Sequence, residues 1–96
     1  MSFPQQMANI GSETSRVLKA LQAGKDSRAE GAFARAQELI DLTIKYGRTD
    51  ASPLLRSAML EELCRFRELY CNAFLERNLV ELAAFNRYLD HFAQVS

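Results

Sequence analysis

Tryptophan is absent from this 96-residue chain, histidine occurs once, and proline, cysteine and glycine number only two, two and four. Each scarcity removes a class of chemistry. A structural zinc site takes about four Cys or His ligands at tight spacing, and the chain offers three: Cys64, Cys71 and His91. A single histidine also removes the paired Glu-x-x-His sites of di-iron bundles. Isolated glycines cannot form a glycine-rich phosphate loop. Net charge is likewise missing, since twelve basic side chains balance twelve acidic ones. The two halves depart from neutrality by only two charges each, too little to steer nucleic acid or anionic lipid.

Long apolar runs are absent too. A membrane-spanning helix needs roughly 18 or more consecutive apolar residues, and nothing here approaches that. The opening Met-Ser-Phe-Pro-Gln-Gln-Met has no basic flank followed by an apolar segment, so it does not read as a signal peptide. The expectation is therefore a cytoplasmic protein with no membrane and no nucleic-acid partner. Cys64 and Cys71 lie on one expected helix, with Cα atoms roughly 10 Å apart at 1.5 Å rise per residue. A disulfide requires less than about 7 Å, so the two cannot bridge each other; they are expected as buried small hydrophobes, the alternative being pairing with cysteines of another chain.

What the sequence does contain is helix. Apolar residues make up 48% and charged residues 25%, a globular composition in a chain the length of one domain, residues 1–96. The spacing predicts an all-α, four-helix, up-down antiparallel bundle with helices over about 3–23, 28–46, 53–77 and 79–93. Phe3, Met7, Ile10, Thr14, Val17 and Leu21 step by four and three, a seam with one polar member. Gly11 beside it weakens the first helix by about 1 kcal/mol relative to Ala, making fraying before Ser12 an alternative. Gly24 ends that helix. Ser27-Arg-Ala-Glu30 matches a capping box opening the second. Its stripe is Ala29, Ala32, Phe33, Ala36, Leu39, Ile40, Thr43 and Ile44.

The third helix is the longest uninterrupted pattern, capped by Ser52 with Pro53 at its first position. Leu55, Met59, Leu63, Phe66, Tyr70, Ala73 and Phe74 share one side. A turn is expected at Arg77–Asn78, where Asn78 suits either a left-handed helix end or the cap of the next helix. Without it, the last two helices would fuse into a rod of roughly 60 Å at 1.5 Å per residue, which would force an oligomer. The fourth helix carries Leu82, Phe85, Leu89 and Phe92, with Val80, Ala84 and Tyr88 alongside.

The third helix also bears a second stripe, Leu60, Cys64, Cys71 and Leu75, with Arg67 between its members. A bundle helix touches two neighbours, so a wide apolar face is ordinary. The sharper reading makes Leu60, Cys64, Arg67, Cys71 and Leu75 an interface with a second copy or a protein partner.

Catalytic constellations are thin. Arg87 and His91 are spaced one residue short of the Arg-x(4–6)-His motif of HEPN-type ribonucleases. Glu38 and Asp41 resemble half of the magnesium site of MazG-like pyrophosphohydrolases but lack the second acidic pair. Neither assignment is carried over, and no catalytic residue, metal or cofactor is expected. Six of the nine aromatics fall in the last third, where buried phenols need hydrogen-bond partners. The leading expectation is a non-enzymatic, self-associating adaptor, chaperone or regulatory module, acting as a homodimer or with a protein partner. The alternative is a small-ligand-binding or catalytic bundle with Tyr70, Tyr88, Arg87 and His91 around an aromatic pocket between helices three and four.

Overall fold

A computed structural model describes residues 3–46 and 53–95, and side chains at all of these except 3, 46, 53–56, 59 and 92–95. The expected cap at Ser52 and the seam side chains Phe3, Leu55, Met59 and Phe92 lie outside the described set. The chain forms four helices, α1 (Phe3–Gln22), α2 (Asp26–Tyr46), α3 (Pro53–Leu75) and α4 (Leu79–Val95). Among the described residues there is no strand.

The helix ends follow from local chemistry. Gly24 takes φ +72°, and two bonds close the end of α1. The Gly24 N–H donates to Leu21 and the Lys25 N–H to Ala20, at 3.1 and 2.8 Å. This Schellman closure delivers the chain straight into α2. The Ala29 N–H already donates to the Lys25 carbonyl at 3.0 Å, so Lys25 caps α2 and Ser27 lies inside it. The expected capping box from Ser27 to Glu30 is therefore corrected, and Asp26 supplies the favourable first-turn negative charge.

The α3–α4 turn repeats the closure without glycine. Arg77 takes φ 55°, its N–H donates to Phe74, and the Asn78 N–H donates to Ala73 at 2.9 Å. Asn78 then opens α4. Its carbonyl accepts from the Leu82 N–H, and its side-chain Oδ1 accepts from the Glu81 N–H at 3.1 Å. Of the two roles open to Asn78, the cap is the one used. The left-handed residue is its neighbour, held there by an Arg77 guanidinium bond to the Phe74 carbonyl at 2.8 Å. Two separate helices result, with no fused rod.

The helices pack as a bundle in which α1 sits between α2 and α4, with α3 across the diagonal. Side-chain size sets the spacing. Against α1, α2 presents Ala29, Ala32 and Ala36, all buried, and α4 comes so close that a Cβ on Gly11 would stand 3.0 Å from Leu89 Cβ. Gly11 is thus buried within a continuous helix rather than marking a frayed end. On the other side, Phe33, Phe66, Tyr70, Phe74 and Phe85 hold the backbone of α3 farther from α2 and α4. The sequence singles out residues 52–77 as the organising helix, but α1 has close neighbours on both sides. Asp41 pairs with Arg67 at 2.9 Å and Glu30 with Arg77 at 3.9 Å, so α2 and α3 run in opposite directions. The core joins Met7, Ile10 and Val17 of α1, Ile40 of α2, Leu63 and Tyr70 of α3, and Leu82 and Leu89 of α4.

Candidate functional site

The second stripe of α3 stays largely uncovered. Leu75 is 68% exposed, Cys64 is exposed, and Leu60 and Cys71 are half-buried. Both cysteines are free thiols. Cys64 corrects the expectation of a buried thiol, because it sits on the exposed flank of α3 and not on its core-facing side. Arg67 reaches across that flank to Asp41. With both side chains about half exposed, such a pair contributes less than about 1 kcal/mol. Past the stripe, Leu79 and Val80 at the start of α4 are exposed as well, Val80 by 79%. Three apolar side chains thus cluster within six residues around the α3–α4 corner.

The four residues of the aromatic alternative differ in burial, Tyr70 lying in the core and Tyr88, Arg87 and His91 at the surface. Tyr70 is completely buried, and its phenol lies 2.8 Å from Thr14 Oγ1. The Thr14 hydroxyl spends its proton on the Ile10 carbonyl, also at 2.8 Å, so Tyr70 is the donor of the pair. Burial pushes the phenol pKa up to about 12, with the Thr14 bond opposing and the Glu13 charge adding. Rings fill the space around it. Phe33 stacks on Tyr70 at 5.6 Å, and Phe66 meets Phe85 edge-on at 5.1 Å. Tyr88 is half exposed and flanks Phe66 at 6.3 Å. Arg87 and His91 are exposed on the outside of α4. Among the described residues, no group of three His, Cys, Asp or Glu side chains stands ready to hold a metal.

A third feature was not apparent from the sequence. Where α1 turns into α2, an open cleft of about 600 Å³ is lined by Arg16, Lys19, Lys25, Arg28 and Arg35, over a floor that includes Ala20, Gly31 and Ala32. Among the described residues no carboxylate lines it. Glu13, buried beside it, holds Arg16 at 2.6 Å and Arg35 at 3.1 Å. Glu30 points instead to Arg77. Lys19, Lys25 and Arg28 have no carboxylate partner among the described residues. The available signal was local: cations at 16 and 19 on one helix face, 28 and 35 on the next, joined by a tight turn at Gly24. Charge summed over half the chain averages that cluster away.

No family model, curated protein or solved structure matches the chain.

Proposed function

We propose that this protein is a non-enzymatic interaction module that self-associates through the outer face of α3 and the α3–α4 corner. The observation that carries this reading is the exposure of Leu75 and Val80 at a helix junction, with the half-buried Cys71 one turn before Leu75 and Leu60 farther back on the same α3 face. Contiguous apolar surface rimmed by charge is what association covers. The occupant of this face is a second copy of the chain, related by a two-fold axis that sets the same patch against itself. The opposed direction of α2 and α3 supports an up-down order for the whole bundle, leaving this corner at one end. A cytoplasmic setting belongs to the same reading, because a reducing compartment keeps an exposed thiol such as Cys64 free. The full burial of Tyr70 against the exposure of Tyr88, Arg87 and His91 weighs against the small-ligand alternative.

Sedimentation velocity at tens of micromolar tests the proposal. The expected result is a dimer that becomes a monomer in the double variant Leu75→Glu, Val80→Glu while the helical circular dichroism is retained. A wild-type monomer at that concentration would remove self-association. A dimer indifferent to the double variant would remove this face.

A further inference from the structure

We infer that the cleft between the end of α1 and the start of α2 binds a small organic phosphate, a molecule joining two or more phosphate charges to a compact apolar body. Its size is the first argument: about 600 Å³ falls in the range of small-molecule sites, roughly 300–1,000 Å³. Charge is the second. Five cations converge on one concavity of a chain whose net charge is zero. Like charges so gathered repel one another, and an anion among them relieves that repulsion.

The cations divide into two sets. Arg16 and Arg35 are fixed in place by the buried carboxylate of Glu13, which positions their guanidinium groups without cancelling both. Lys19, Lys25 and Arg28 remain to meet the ligand, and Arg28 can offer a bidentate fork to a phosphate. Three unpaired cations exceed what one carboxylate would neutralise, which favours a polyphosphate. Beneath them Ala20, Ala23, Ala32 and Gly31 form a floor of short side chains on which a flat ring can lie. Among the described residues no aromatic side chain lines the cleft, so the stacking platform typical of single-stranded nucleic-acid sites is missing there. This favours a small molecule over a polymer. The site is separate from the α3–α4 corner and stands whether or not the chain dimerises.

The test is a titration of the full-length protein, followed by amide chemical shifts, with ATP, adenosine, inorganic phosphate and a short single-stranded oligonucleotide. ATP is expected to saturate at sub-millimolar concentration, shifting amides between residues 16 and 35. Inorganic phosphate should bind the same amides more weakly, adenosine should not bind, and added salt should weaken the ATP complex. The double variant Lys19→Glu, Arg28→Glu should lose at least about tenfold in ATP affinity with an unchanged far-ultraviolet spectrum. Lys19→Arg with Arg28→Lys should retain most of it. Non-saturating or scattered shifts, equal binding by the charge-reversed variant, or an oligonucleotide that binds more tightly than ATP would each overturn the inference.

Discussion

The phenol of Tyr70 on α3 donates to the hydroxyl of Thr14 on α1 at 2.8 Å, spanning the diagonal between two helices whose backbones do not touch. It is a polar bond inside an apolar core, and its two ends are not equivalent. Thr14 keeps a second partner, the Ile10 carbonyl, whereas the Tyr70 hydroxyl has no second partner among the described residues.

Removing either end should therefore cost different amounts. Tyr70→Phe deletes the donor and leaves Thr14 bonded to its own helix, a loss of about 0.5–1.5 kcal/mol. Thr14→Val leaves a buried phenol with no acceptor, a loss of about 1–3 kcal/mol. Urea denaturation of both variants at neutral pH checks the order. Equal losses, or a larger one for Tyr70→Phe, would show that the phenol finds another acceptor.

Burial of the same phenol gives stability a pH dependence. Unfolded, Tyr70 releases its proton near pH 10, while in the fold it keeps it up to about 12. The native state thus binds more protons in that window, and stability falls as pH rises through it. Below pH 10 this contribution is fully present. Tyr70→Phe abolishes it, so the gap in stability between wild type and variant should narrow between pH 10 and 12. Urea midpoints measured on both sides of pH 10 would show it, and parallel curves would mean the phenol ionises alike in both states.

Gly11→Ala sets helix propensity against packing. Propensity favours Ala by about 1 kcal/mol. Yet the new methyl would meet Leu89 Cβ at 3.0 Å, with the Leu89 carbonyl carbon at 3.7 Å behind it. A Cβ atom moves only with its backbone, and overpacking of this kind costs about 1–3 kcal/mol. A net loss near 1 kcal/mol is expected from thermal or urea melts. A more stable variant would show that α1 and α4 can separate cheaply.

Arg77 should invert the usual ranking of Ala over Gly. At φ 55° a Cβ is strained, and Gly is the natural occupant. Both substitutions lose the bond to the Phe74 carbonyl and the guanidinium placed 4.3 Å from the Phe74 ring centre. Only Gly recovers the strain. Arg77→Ala should be less stable than Arg77→Gly by about 1 kcal/mol. Matching urea midpoints would argue that the turn relaxes out of the left-handed region.

How much of this was legible beforehand depends on how local the cause is. The seam of Met7, Ile10, Thr14 and Val17 could be read because three- and four-residue steps map directly onto one helix face, and all four side chains are buried. The turns at Gly24 and Asn78 were readable because those residue types carry their own backbone preferences. Arg77 was not, since an arginine in the left-handed region is held there by Phe74, a contact that no propensity encodes. Gly11 was read as a weakness because the helix that needs its missing side chain arrives 78 positions later, at Leu89. The basic cleft was hidden for a related reason. Its cations belong to two helices, and only the fold decides that Glu13 is spent on Arg16 and Arg35 while Glu30 turns away to Arg77. Spacing alone marked the second stripe of α3, of which Cys64 and Leu75 are exposed and Leu60 and Cys71 half-buried, while the cleft required the turn.

Asn78 finishes one helix and starts the next with no spacer residue between the two hydrogen-bond systems. The two helices are therefore geared together. One residue inserted between Arg77 and Leu79 would rotate α4 by about 100° at 3.6 residues per turn, carrying Leu82 and Leu89 out of the interior and bringing charged neighbours in. Length variation in this chain is consequently tolerable only in other joints, and the α3–α4 pair behaves as a single mechanical part.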